Sequence, residues 1–205
     1  MHCRTMTYRT ARKGGPGFSL IELVIAVSII MILAAVFTPL ISNAVSGIKL
    51  RYSATGLSGL IQKARIEAVR KNTFYSIEQT TLAAGGVAYY VDLGKNSTFA
   101  AGDPLVVMGN QVSVHFGTGS GAPSEAAFAT SLNFAVASGG VLPKFDARGL
   151  PCLPAGGTCP QIPGQGFIYF LSRNTGLGTA WASVVVTPSG RVQVWSYDGT
   201  NWGQI

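Results

Sequence analysis

The chain is 205 residues long, room for one domain of ordinary size plus a short extension. Charged residues make up 11%, against roughly 25% in a typical soluble domain, and mean hydropathy is +0.34, so the chain is too apolar to stay unfolded in water. Its 26 glycines exclude a coiled coil, its three cysteines a disulfide-dense mini-protein, and its single apolar 20-mer a multi-span membrane protein.

The first seventeen residues hold Arg4, Arg9, Arg12 and Lys13 and no acid. They supply most of the net charge of +7; from Phe18 onward eleven basic residues face eight acidic ones. The basic balance therefore describes a leader more than a polyanion-binding domain.

Residues 18–38 read FSLIELVIAVSIIMILAAVFT, with one charge, Glu22. At about 1.5 Å per residue they span roughly 30 Å, the hydrocarbon thickness of a bilayer. Basic residues ahead of the span predict the N-terminus inside and the C-terminal part outside. Three processing routes compete here. A lipoprotein route needs a Cys at the end of the apolar run, and none stands there. A secretory signal could be cut near Ser42-Asn43-Ala44, although the apolar run exceeds the usual length. The third route cuts before the run, between Gly17 and Phe18.

Gly17-Phe18-Ser19-Leu20-Ile21-Glu22-Leu23 resembles the cleavage and methylation motif of type IV prepilins and type II secretion pseudopilins. The resemblance implies that a membrane prepilin peptidase cuts after Gly17 and methylates Phe18. It also implies that Glu22 neutralises the terminal amine of a neighbouring subunit in a filament. Glu22 lies four residues after Phe18, which on a helix puts both on one face. An unpaired carboxylate this deep is costly, and snorkelling to the interface is the alternative.

Beyond Pro39, which predicts a kink, Ile41, Val45, Ile48 and Tyr52 recur at helical spacing, as do Leu57, Leu60/Ile61, Ala64 and Ala68. Gly47, Gly56 and Gly59 weaken this helix by about 1 kcal/mol each relative to Ala. One long bent helix is expected over about 18–72, its second half packing one face on a globular domain. Glu67 and Lys71 form an i,i+4 pair near its end, where cations suit the helix dipole. A solvated helix face suffices energetically, but Ala64-Arg65-Ile66-Glu67-Ala68-Val69-Arg70-Lys71-Asn72 resembles the A-R-x-E-A-x-x-x-N pattern of GspH/FimT minor pilins, which narrows the family.

After Asn72 the period changes from 3.6 to 2. Strands are expected around Val87–Val91, Val112–Phe116, Phe167–Leu171 and Val184–Val186, the last turning through Thr187-Pro188-Ser189-Gly190 into Val192–Val194. Residues 117–126 and 149–166 read as Gly/Pro-rich loops. Phe145-Asp146-Ala147-Arg148-Gly149 and Gly190-Arg191-Val192 extend the GspH/FimT resemblance. The expected fold is α+β and pilin-like, an N-terminal helix on an antiparallel sheet. Its parts are a leader (1–17), a membrane half of the helix (18–39), an amphipathic half (40–72) and a β-rich domain (73–205).

Cys3 would leave with the leader, so Cys152 and Cys159 are the remaining pair. A disulfide is expected in an oxidising compartment, contributing roughly 2.5 kcal/mol by loop entropy, with free thiols as the alternative. A metal would need further ligands, and only His115 is otherwise at hand. No Cys-His or Ser-His-Asp set has workable spacing, so neither catalysis nor a cofactor is expected. Asp92, Asp103, Asp146 and Asp198 stand in turn-like strings, where Asp serves the backbone.

The function expected is a minor pilin or pseudopilin of a type II secretion system or type IV pilus. The resemblance implies a bacterial inner-membrane protein whose partners are other pilins, prepilin peptidase, an inner-membrane assembly platform and lipid. A DNA-binding minor pilin is the competing class. Arg191 beside Trp195, with Tyr197 and Trp202 near in sequence, suits phosphate contact and base stacking. The G-R-x-R pattern of that group is broken by Gln193, and a packed edge hairpin is the favoured reading.

Overall fold

The computed structural model describes residues 17–83, 85–137, 142–153, 158–175 and 178–205. Residues 1–16, which include Cys3 and most of the expected leader, lie outside the described residues. Contacts divide the chain into two compact units at the bond between Leu40 and Ile41.

Helix α1 (Leu20–Arg70) begins two residues later than expected and continues through Pro39. Its apolar stretch Leu20–Thr38 has no buried residue. The hydroxyls there are satisfied within the helix: Ser28 Oγ donates to Val24 O at 2.8 Å and Thr38 Oγ1 to Ala34 O at 2.7 Å. A span facing hydrocarbon needs this internal satisfaction, because lipid offers no partner.

In the second unit, α1 buries Leu50, Ala54, Leu57, Ile61, Ala64 and Ala68, a stripe spaced by four and three residues. The buried stripe starts on a different face from the expected one. Ile41, Val45, Ile48 and Tyr52 remain exposed, and Ser46, Leu50 and Ser53 are buried in their place. Buried Ser53 ties helix to strand connection, its Oγ donating to Lys49 O and accepting Gly109 N–H, both at 3.0 Å. Gly56 is where β3 (Leu105–Val107) crosses the helix: a Cβ there would lie 2.7 Å from Val106 Cγ2. The helix propensity lost at this glycine is the cost of close approach.

Two sheets follow. The first orders β3-β2-β1-β6-β7, from β1 (Tyr75–Thr81), β2 (Val87–Val91), β6 (Lys144–Phe145) and β7 (Pro151–Cys152). The second orders β11-β10-β9-β8-β4, from β4 (Val112–Phe116), β8 (Gln165–Thr175), β9 (Gly178–Val186), β10 (Val192–Tyr197) and β11 (Trp202–Gln204). One pair departs from the expected antiparallel pattern: β5 (Ala135–Val136) runs parallel to β8.

Strand β8 is apolar on both faces because each face meets a core. Phe167, Tyr169 and Leu171 join the α1 residues in the main core. Ile168 and Phe170 join Phe128 of helix α2 (Glu125–Ser131) and Val185 in a second, smaller one. The 117–126 loop ends in α2 rather than continuing as coil. Its Gly119 and Ser120 N–H groups donate to the Glu125 carboxylate.

Candidate functional site

Gly17, Phe18 and Ser19 precede the helix, and Leu23 N–H donates to Ser19 O at 3.1 Å to open the first turn. Phe18 therefore stands outside α1, exposed, and the expected shared helix face with Glu22 does not follow. Glu22 sits in the first turn, where a carboxylate suits the helix dipole. It is the only charged residue of Leu20–Thr38.

The string Ala64–Asn72 is a latch, built from the helix upward. Ala64 and Ala68 are fully buried, small enough to bring the backbone close to the core. Arg65, between them, donates from Nε to Gly149 O at 2.9 Å and reaches Ser189 O from Nη2 at 3.5 Å. Glu67 is held by Arg70, two bonds of 2.9 and 2.6 Å to one oxygen, and not by Lys71 as the i,i+4 spacing suggested. Asn72 ends the helix in the left-handed region (φ 50°), with Thr73 N–H returning to Ala68 O at 3.1 Å. Asn tolerates that conformation better than other side chains.

The two turns that Arg65 joins are set by local chemistry. Asp146 accepts Arg148 N–H and Leu150 N–H, each at 2.9 Å, and the Gln161 amide at 3.2 Å. Burial pushes its pKa up, but these donors and the Arg148 guanidinium outweigh that and hold it below the usual 3.8. The Thr187–Gly190 turn closes with Gly190 N–H on Thr187 O at 2.8 Å. Sequence spacing alone could not show that these turns meet, since they lie 84 and 124 residues from Arg65.

Cys152 and Cys159 form a disulfide, Cα–Cα 5.3 Å, with Cys152 fully buried. His115 lies elsewhere, its Nε2 3.1 Å from Ser172 Oγ. Among the described residues no three His, Cys, Asp or Glu cluster as metal ligands would. All four turn aspartates accept backbone N–H groups: Asp92 from Asn96 and Ser97, Asp103 from Leu93 and Ala100, Asp198 from Thr200 and Asn201, besides Asp146.

Arg191 and Trp195 do not share a surface. Arg191 is exposed and lines a groove of about 600 Å³ with Arg65, Ile66, Val69 and Arg70 of α1. Trp195 packs on the α2 side, edge-on to Phe128 at 5.4 Å, and Trp202 stacks on the same ring at 4.7 Å. The reason is the period of β10: Val192 and Val194 face α1 and the main core, whereas Trp195 faces the second core.

An apolar helix long enough to cross a bilayer, led by Gly-Phe and continuing into an α+β unit that buries its second half, defines a pilin-like arrangement. Residues 16–38 match the prokaryotic N-terminal methylation motif. The chain is 30% identical over 143 residues to the pilin-like protein PilA1 of Thermus thermophilus, covering 67% of this chain and 80% of that protein. No solved structure matches it. The chain belongs to the type IV pilin-like proteins.

Proposed function

We propose that this chain is a minor pilin or pseudopilin, a non-catalytic subunit that helps initiate or cap the filament of a type II secretion system or type IV pilus. One observation carries the reading: α1 leaves its apolar residues uncovered well past the bilayer span. Ile41, Val45, Ile48 and Tyr52 are 42–73% exposed on α1. Such a stripe is normal for a helix that packs against other helices and abnormal for a solitary soluble one. Prepilin peptidase would release Phe18, and neighbouring pilins would cover the stripe while Glu22 pairs with a partner's amine. The basic residues before the span favour a periplasmic C-terminal unit at the inner membrane, engaged by an assembly platform. The Ala64–Asn72 latch, with the turns it joins, supports a GspH/FimT-type subunit.

The test is crosslinking in the native host from a cysteine placed at Ile48, followed by identification of the captured chains. Other processed pilins are expected. A chain that stays monomeric in the membrane overturns the reading. Deletion then sorts the machine: lost protein export marks secretion, lost surface fibres a pilus.

DNA uptake is the second reading, supported by the groove that gathers Arg65, Arg70 and Arg191. Against it, Trp195 is turned away, and from residue 45 onward eleven basic residues are set against seven acidic ones. The expected Kd is no better than roughly 10⁻⁴–10⁻⁶ M at physiological salt. Anisotropy titrations at two salt concentrations, wild type against Arg191→Ala, decide it. Sub-micromolar binding lost in the variant would make DNA capture the leading function.

A further inference from the structure

We infer that the hollow between α2 and the β10–β11 hairpin is a binding site for a neutral saccharide. The hollow measures about 270 Å³, close to the lower end of the roughly 300–1,000 Å³ typical of small-molecule sites, so it suits one or two sugar rings rather than a polymer segment. Its floor is aromatic: Trp195 and Trp202, braced on Phe128. The indole N–H of Trp202 is already spent on Pro123 O at 2.9 Å, which fixes the ring's position.

The rim is polar and unspent. Ser124, Thr200 and Asn201 line the hollow from opposite walls, all exposed, and their side chains have no partner among the described residues. Their backbone N–H groups are a separate matter: Asp198 holds those of Thr200 and Asn201 at 2.8 and 2.7 Å, so the loop presenting both side chains is ordered before any ligand arrives.

Among the described residues no charged side chain lines the hollow. A phosphate or carboxylate would find no counter-charge there, which disfavours nucleotides and acidic peptides. An aromatic floor with hydroxyl and amide groups at the rim matches a pyranose, whose C–H face is apolar and whose edge is a ring of hydroxyls. Neutral amphipathic contact of this kind is what Trp supplies at binding surfaces.

The experiment uses the full-length chain in a sugar-free zwitterionic detergent, with saturation-transfer NMR against cellobiose, maltose, lactose and N,N′-diacetylchitobiose, each titrated to about 10 mM to reach weak binders. At least one disaccharide is expected to give saturable transfer, strongest at the C–H protons of one ring face. The Thr200→Ala/Asn201→Ala double variant should weaken it about fivefold or more with an unchanged thermal transition, since those side chains support no fold contact. Ser124→Ala on the facing wall is an independent reporter expected to weaken it too. The proposal is overturned if no disaccharide saturates, if both variants bind as the wild type does, or if adenosine and thymidine saturate while the sugars stay silent.

Discussion

Arg65 Nε donates to Gly149 O at 2.9 Å, joining the last turns of α1 to a turn 84 residues further along the chain. The contact holds helix against sheet because the guanidinium's second arm reaches the neighbouring Thr187–Gly190 turn through Ser189 O. A charged donor on a part-buried carbonyl is among the stronger hydrogen bonds a fold can make.

Arg65→Ala is therefore expected to lower stability by about 1.5–3 kcal/mol in chemical denaturation. Arg65→Lys should recover little of this, because one ammonium cannot serve both carbonyls as a fork does. Gly190→Ala probes the same junction from the other side: its Cβ would lie 2.5 Å from Gly149 O, with φ at +78°. It should cost more than Gly199→Ala, where φ is +105° but space is open. Equal costs at the two glycines would show that backbone conformation, not the junction, sets the penalty.

Acid should loosen the same region. Asp146 has its pKa lowered in the folded chain, so its contribution to stability is complete above the ordinary 3.8 and is lost as pH falls through the folded value. The unfolded chain binds more protons in that window, which makes stability rise with pH there. Asp146→Asn is expected to lower stability at neutral pH and to flatten the acid limb below pH 3.8. An acid limb as steep in the variant as in the wild type would assign the effect to other carboxylates.

Processing is expected to leave N-methyl-Phe18 as the first residue, because Gly17-Phe18 stands one residue ahead of α1 and is exposed. Mass spectrometry of the N-terminal peptide from membranes reads it directly. A terminus near Ala44 would contradict cleavage at Gly17, since it would lie inside α1 and remove the whole span.

For Glu22→Ala, membrane insertion should be intact and incorporation into the filament impaired. Insertion depends on apolar length, which the substitution extends, whereas docking depends on burying the carboxylate beside an opposite charge. Crosslinking to partner pilins at equal membrane abundance is the readout. Undiminished crosslinking would mean that the carboxylate only snorkels.

The features legible along the chain are local: an apolar run over residues 18–38, a Gly-Phe string at its start, a helix stripe through Leu57–Ala68, and the strand patterns of β2, β4 and β8–β10. These follow from periodicities of 3.6 and 2, which need only near neighbours. The tertiary structure decided the rest. It chose the face of α1 that carries Leu50 over the equally periodic Ile41/Tyr52 face, because only one can meet the sheets. Two-residue strands such as β5, β6 and β7 are too short for a period to show; long-range pairing alone creates them. Arg65 reads as one more helix cation until two distant turns bring their carbonyls to it. Arg191 and Trp195, four residues apart, are separated by a sheet with a core on each face, a relation that no spacing rule along the chain contains.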